Sequence, residues 1–164
     1  MGDFKKILVV MGVSGTGKST IGKLLSEALK IPFYDGDDFH PEANVKKMSA
    51  GQPLNDDDRQ GWLEKLNALA KAHTSQGAII ACSALKEGYR QLLQEGNEDT
   101  MRFVYLEGSF ELIKSRLEQR KGHFMPLELL KSQFDTLEQP TNAITVSVSH
   151  TPEKIVELIM DQIQ

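Results

Sequence analysis

Eight residues, Gly12-Val-Ser-Gly-Thr-Gly-Lys-Ser19, follow directly on the apolar run Ile7-Leu-Val-Val-Met11. They fit the pattern G-x-x-x-x-G-K-[ST], whose residue types suit one task, the cradling of a polyphosphate. Gly12, Gly15 and Gly17 permit backbone turns in which successive N–H groups, those of Ser14 and Thr16 included, curl round phosphate oxygens. A helix expected from Lys18 onward points its positive end at the same anion. Lys18 would reach the β- and γ-phosphates. The Ser19 hydroxyl, with Thr20 beside it, would ligate Mg²⁺. The loop thus calls for a nucleoside triphosphate and Mg²⁺.

A second set follows the next apolar run. In Phe33-Tyr-Asp-Gly-Asp-Asp-Phe-His40 the carboxylates of Asp35 and Asp37 should emerge beside the phosphate loop. Phosphoryl transfer to a hydroxyl needs a carboxylate to orient or deprotonate it, and groups to hold the metal's waters. Asp37 is assigned as the hydroxyl-facing base and Asp35 to the acceptor or the metal's water shell, and the residue types allow these roles to be exchanged. Asp38 suits a turn or helix cap ahead of Pro41, and His40 suits either a turn or an acceptor contact. Pro53-Leu-Asn-Asp-Asp-Asp-Arg59 brings three acids to a helix start, where they complement its dipole, and Arg59 could face an acidic substrate. Asp58-Arg-Gln-Gly61 matches the D-x-x-G of GTP switches. It follows no strand, however, and no N-K-x-D element accompanies it, which argues against a GTPase switch.

The third apolar run ends in Cys82-Ser-Ala-Leu-Lys-Glu-Gly-Tyr-Arg90, where many phosphate-loop enzymes carry an Asp and this chain has Ser83. That shifts the metal-shell work onto Asp35 and Asp37. Lys86 and Arg90, four apart, are expected on one helix face and could bind an acidic acceptor. Arg116 and Arg120 are again four apart. With Lys121-Gly-His-Phe124 they suit a basic, Gly-hinged lid at about 120–126 that closes over the triphosphate, with Arg120 or Lys121 neutralising charge on the moving phosphoryl group. A base-rich helix C-terminus has a similar composition.

The elements needed to position these groups can be read from the apolar pattern. Strands are expected at Lys6–Met11, Pro32–Asp35, Ala78–Ser83, Arg102–Leu106 and Ala143–Val148. Helices are expected at Lys18–Leu29, Arg59–His73, Lys86–Gln94, Phe110–Arg120, Leu127–Leu137 and Pro152–Ile163. This alternation implies a mostly parallel sheet covered on both faces, with ligands at the carboxyl ends of its strands. The 164 residues suit one domain, 1–164, and the polar stretch after strand two is expected to cover an acceptor, over about 36–75. A net charge of −4 and a pI near 5.6 argue against a general nucleic-acid or anionic-membrane binder. The single cysteine, Cys82, allows no intrachain disulfide and reads as a small buried residue, and a cytoplasmic setting is expected.

Together these motifs resemble the small phosphate-loop type of bacterial gluconate kinase. The match rests on Met11–Ser19, Asp35-Gly-Asp37 with His40-Pro41, Lys47-Met-Ser-Ala-Gly51 with Pro53–Arg59, and Cys82–Lys86 with Tyr89-Arg90. It continues through Lys121–Phe124 and Gln133–Glu138 with Pro140. The resemblance implies an α/β/α phosphate-loop NTPase sandwich with a five-stranded parallel sheet, order 2-3-1-4-5, like nucleoside monophosphate kinases. It implies transfer from ATP to the 6-hydroxyl of D-gluconate, serving the pentose phosphate and Entner–Doudoroff routes, and a homodimer. By the same resemblance Arg116 and Arg120 contact adenine and phosphate, and Ser83, Lys86, Arg90, His40 and His123 join Arg59 and the aspartates around the acceptor. Shikimate kinase is the competing enzyme. Its usual Gly-Gly-Gly after strand three and Arg-Pro-Leu in the lid are replaced here by Ser83-Ala-Leu and Lys121-Gly-His. A non-catalytic nucleotide-binding module would not need Lys18, Asp37 and a basic lid together.

Overall fold

The computed structural model describes residues 7–119 and 127–163. Five strands, β1 (Ile7–Met11), β2 (Phe33–Asp35), β3 (Ala78–Ala81), β4 (Met101–Glu107) and β5 (Ile144–Ser147), form one sheet in the order β2-β3-β1-β4-β5. Every pairing is parallel. Among the described residues seven helices connect and cover them: α1 (Lys18–Leu29), α2 (Glu42–Ser49), α3 (Asp56–Ala72), α4 (Glu87–Gln94), α5 (Phe110–Gln119), α6 (Leu127–Thr136) and α7 (Pro152–Ile163). The expected strand order and layered architecture are therefore observed.

Strand alternation sorts the core into two halves. Leu8 and Val10 point to one face, with Ile79, Val104 and Val146, and pack against Ile21 and Leu25 of α1, Ile113 of α5, and Ile155 and Ile159 of α7. Ile7, Val9 and Met11 point to the other, with Ile80, Phe103 and Tyr105, against Trp62, Leu63, Leu66 and Ala70 of α3 and Leu93 of α4. All five residues of β1 are buried, as the central strand of a doubly covered sheet must be. Each fully buried Leu or Ile contributes about 1.5–3 kcal/mol, so the apolar runs that mark the strands also supply most of the driving force.

Two elements differ from the sequence reading. The segment after β2 is not irregular: Gly36–Phe39 forms a short 3₁₀ turn, and α2 follows with Pro41 at its N-cap. α2 buries only Asn44 and leaves Val45 and Met48 exposed, so it carries no apolar stripe. α3 starts at Asp56, three residues before the expected Arg59. A reciprocal capping box begins it there: the Asn55 side chain accepts from the Asp58 N–H, and Asp58 accepts from the Asn55 N–H.

Register places the site. Asp35 of β2 and Val10 of β1 are both level with Ala81 of the intervening β3. Asp35 therefore ends two strand spacings, roughly 10 Å, from the end of β1. At that edge Gly36 lies so close to β3 that a Cβ there would come within 2.5 Å of the Ala81 carbonyl oxygen. Any side chain at 36 would push the carboxylate-bearing turn off the sheet.

Candidate active site

The phosphate loop leaves β1 buried and returns as α1. Gly17, at φ 90°, is the N-cap of α1, and no side chain caps the helix. An L side chain at that φ is strained, and the space where its Cβ would stand is open for 4 Å around. The first N–H groups of α1 thus face a cavity without a carboxylate or hydroxyl of the cap type in front of them. Lys18 Nζ donates to the carbonyls of Gly12 at 2.9 Å and Val13 at 3.1 Å, which holds the ammonium within the curl of the loop. Thr16 is buried, and its hydroxyl closes the loop on the Val13 carbonyl at 2.9 Å.

A cleft of about 540 Å³ opens above the loop, lined by Lys18, Ser19 and Thr20, by Asp35 and Asp37 and by Ser83. Its size suits a small ligand together with a phosphoryl group. Asp35 has both oxygens engaged: Oδ2 accepts from Ser19 Oγ at 3.2 Å, and Oδ1 accepts from the Asp37 N–H at 3.0 Å, capping the 3₁₀ turn. Asp37 instead projects into the cleft, its side chain 83% exposed, with Oδ1 3.8 Å from His40 Nε2. Partial crowding by the cleft walls, followed by the charge of Asp35, raises its pKa, and the solvent that still reaches most of the side chain limits the shift; Lys18 and His40 pull it back only in part. One carboxylate is thus pinned beside the Ser19 hydroxyl, and the other faces the open cleft with a pKa shifted toward that of a base.

A second hollow, about 360 Å³, adjoins the same loop through Gly15, Gly17 and Thr20 and is walled by Arg116, His150 and Pro152. Arg116 of α5 donates to the Val148 carbonyl, which ties it to the segment after β5.

The expected acceptor cations separate into two groups. Arg59 and Lys86 come together on Tyr89: Arg59 NH1 donates to the Tyr89 hydroxyl at 3.1 Å, and each cation lies 5.5 Å from the ring centroid. Tyr89 donates to Asp56 Oδ1 at 2.5 Å, and Lys86 donates to the same carboxylate at 3.2 Å. The bond from Tyr89, followed by that from Lys86, holds Asp56 below the usual carboxylate range. These groups border an open hollow with Leu54 and Asn55. A carboxylate ligand entering it would compete with Asp56.

Arg90 does something else. It does not share an exposed face with Lys86, because α4 begins only at Glu87, and its side chain is 4% exposed. NH1 donates to the Ala84 carbonyl at 2.7 Å, NH2 to the Glu138 carbonyl at 2.8 Å, and Nε and NH2 to the Glu87 carboxylate. These bonds fix the β3–α4 turn, where Ala84 sits at φ 46°, against the chain after α6. The expectation that Arg90 binds the acceptor is corrected accordingly: recruiting it would break several charge-assisted bonds, each of about 1.5–3 kcal/mol. Ser83 lines the cleft beside Ala81 and Cys82. Cys82 is inert, its thiol pushed up to about 12 by burial. Arg120, Lys121 and His123, and with them the lid expected at about 120–126, lie outside the described residues. Among the described residues no cluster of three or more His, Cys, Asp or Glu could hold a metal by itself.

Sequence reading missed one role. Gln133 of α6 grips the loop from 119 residues away, accepting from the Ser14 N–H at 2.7 Å and donating to Ser14 Oγ at 3.0 Å. It also lines the main cleft. His40 is not a simple turn residue: its ring stacks on Trp62, centroids 4.2 Å apart, while Trp62 Nε1 donates to the Gly36 carbonyl at 2.7 Å. Burial, together with the nearby charge of Arg59, lowers the His40 pKa against the pull of Asp37.

Comparison with known proteins agrees with this geometry. The sequence model of the family described as shikimate kinase matches residues 14–164. The chain is 44% identical to the thermoresistant gluconokinase of Escherichia coli, over 96% of this chain and 93% of that one. It is 41% identical to a gluconokinase of Arabidopsis thaliana, over 96% and 92%. A crystal structure of a gluconokinase from Sinorhizobium meliloti superposes with a TM-score of 0.89 at 40% identity, covering 98% of this chain and 92% of that one.

Two outcomes are expected from this geometry. Arg90→Ala should lower unfolding stability in urea by about 1–3 kcal/mol, because the Ala84 and Glu138 carbonyls lose a buried donor. Wild-type stability with a raised acceptor KM would restore Arg90 to the binding site. Asp37→Asn should raise thermal stability slightly at neutral pH, the gain limited by solvent around a side chain that is 83% exposed. The carboxyl is raised in the folded state, so the unfolded state ionises first as pH climbs, and full ionisation disfavours folding above the folded pKa. The advantage of Asn should therefore shrink as pH falls toward the ordinary Asp value of 3.8. A gain that persists or grows in acid would contradict the shift.

Proposed function

The chain belongs to the gluconokinase family, and we infer from that membership and from the cleft that it transfers the γ-phosphoryl group of ATP to gluconate. We propose further that the acceptor oxygen is the 6-hydroxyl, giving 6-phospho-D-gluconate for the pentose phosphate and Entner–Doudoroff routes. The observation that carries the reading is the pairing across the cleft: a phosphate loop with an uncapped helix end on one side, and Asp37, facing the cavity with a raised pKa, on the other.

In this proposal the N–H groups of Gly15 to Ser19 and the Lys18 ammonium hold the β- and γ-phosphates, as their positions around the open loop support. The adenosine extends into the hollow at Arg116 and His150. Ser19 and Asp35, a hydroxyl and a carboxylate already hydrogen-bonded, form a hard-oxygen donor set that fits Mg²⁺ with phosphate and water completing the shell. When bound, Mg²⁺ would offset charge on the bridging oxygens. Asp37 orients the acceptor hydroxyl and takes its proton as the bond to phosphorus forms. Arg59 and Lys86 attract the gluconate carboxylate, for which Asp56 stands in while the site is empty. Arg120 and Lys121 are proposed to close over the phosphoryl group as a lid at about 120–126, with His123 at the acceptor. The segment at about 36–75, comprising α2 and α3, is proposed as the acceptor-covering part of one domain, 1–164. No helix among the described residues is long and apolar enough to cross a membrane. A homodimeric, cytoplasmic enzyme completes the proposal.

Shikimate is the acceptor most in need of exclusion, since the matching family model bears its name. Against it stand Ser83-Ala-Leu, where a Gly-Gly-Gly would be expected, and identities of 39–45% to gluconokinases over nearly the whole chain.

Asp37→Asn should lower kcat by about 10²–10⁴ with little change in ATP affinity. Should Asp35→Asn take that loss while Asp37→Asn alters only the Mg²⁺ dependence, the two assigned roles are exchanged. Arg59→Ala should raise the gluconate KM, and the wild type should use sorbitol poorly, because a cation left without its carboxylate costs about 1–3 kcal/mol. Equal kcat/KM for gluconate and sorbitol would show that no cation reads the carboxylate.

A further inference from the structure

His40, Asn44 and Asp58 form a chain of hydrogen bonds whose direction can be deduced. Asn44 is buried, at 3% exposure, and one end of its amide lies 2.8 Å from the backbone carbonyl of Asp58. A carbonyl oxygen can only accept, so that end is the NH₂ group; turned round, the amide would set two acceptors face to face. The same nitrogen lies 3.2 Å from His40 Nδ1. An NH₂ group only donates, so Nδ1 must accept and cannot carry the proton. An Nδ1 that accepts leaves the ring neutral, and burial and the Arg59 charge act in the same direction, against the pull of Asp37. A neutral imidazole without hydrogen on Nδ1 carries it on Nε2. That N–H is the one nearer Asp37, 3.8 Å from its Oδ1.

This distance is too long for a hydrogen bond between the two side chains, yet one hydroxyl oxygen could lie within bonding distance of both. We propose that Asn44 is a positioning residue that locks His40 as the Nε2–H tautomer, and that His40 thereby donates to a lone pair of the gluconate hydroxyl held at Asp37. The inference rests on the gluconokinase reading for the identity of that hydroxyl. The arrangement gives the hydroxyl a sense of direction. With His40 donating to its oxygen, the hydroxyl's own hydrogen is left to point at the Asp37 carboxylate, the orientation required before that proton is transferred. The opposite tautomer would present a lone pair and compete with Asp37 for the same hydrogen. The ring has little freedom to alter this, because Trp62 covers one face and is itself fixed on the Gly36 carbonyl. Asn44 is anchored in turn through Asp58, which caps α3 and binds Lys47 at 2.7 Å.

Long-range ¹H–¹⁵N spectra of the unliganded wild type read the tautomer directly. The expected result is a pyrrole-type Nε2 and a pyridine-type Nδ1 through neutral pH, with the two shifts converging in Asn44→Ala as the tautomers mix. Kinetics read the donor. His40→Phe keeps an aromatic ring on Trp62 but removes the N–H, and should raise the gluconate KM about tenfold, the worth of one hydrogen bond. His40→Gln can place an N–H near the position of Nε2 and should recover most of that loss. A wild-type ring protonated on Nδ1, or on both nitrogens, would overturn the proposal, as would equal KM values for the Phe and Gln variants. Failure of the underlying reading looks different: the wild type would not turn over gluconate at all, while the ring would keep its tautomer.

Discussion

Parallel pairing of β1 with β3 on one side and β4 on the other is the constraint on which the site depends. In a parallel sheet every strand ends at the same edge, so the loops that follow β1, β2 and β3 must emerge together. Order β2-β3-β1 then sets Asp35 two strands from the phosphate loop, with Ala81 level with both. The separation is closed by two short contacts: the Ser19 hydroxyl reaches Asp35, and the Gly12 N–H reaches the Ser83 carbonyl at 3.3 Å. A one-residue slip of β2 against β3 would reverse the side to which Asp35 points and lose the first of these. Burial of both sheet faces opposes such a slip, because it would carry half-buried Phe33 and Tyr34 away from the halves of the core they pack against.

The unliganded cleft keeps its cations and several of its donors occupied. Lys18 lies on loop carbonyls, the Ser14 N–H is held by Gln133, and Lys86 and Tyr89 share Asp56. These partners resemble in charge or polarity the groups that a triphosphate and a sugar acid would bring. Binding is then an exchange of hydrogen bonds, and no buried charge is left bare in the empty state. Affinity arises from the difference between a protein partner and a ligand partner, which favours discrimination by charge and shape over simple tightness. Asp56 is a case in point: it is exposed and its bonds to Lys86 lie near the surface, where such pairs are worth little. A ligand carboxylate has only a weak competitor to displace.

Much of this was legible in the sequence, and the exceptions have physical causes. All five strands fall within two residues of their expected bounds, because a sheet buried on both faces requires continuous apolar runs. α1 and α7 begin and end where expected, at a Gly-Lys boundary and at Thr151-Pro152. α2 escaped because it buries only Asn44, so there is no 3.6-residue stripe to see, although Pro41 before it was a usable start signal. The early start of α3 was written in Asn55-x-x-Asp58, a capping box with Asp at its fourth position. Arg90 was misread because spacing of four from Lys86 assumes that both residues lie within one helix, whereas Lys86 is the N-cap. Gln133 gives no local sign at all, since its partner Ser14 is 119 residues distant. The loop and the two aspartates needed only local pattern. The tautomer of His40 and the sharing of Asp56 needed coordinates.

The central claim is that this cleft joins ATP to the terminal hydroxyl of gluconate. Incubation with ATP, Mg²⁺ and ¹³C-labelled gluconate, followed by ³¹P and ¹³C NMR of the product, tests it most directly. The account predicts one ADP per gluconate consumed and a phosphomonoester whose phosphorus couples to C6, with shikimate unchanged under the same conditions. Coupling to any other carbon, or phosphorylation of shikimate while gluconate remains intact, would contradict it.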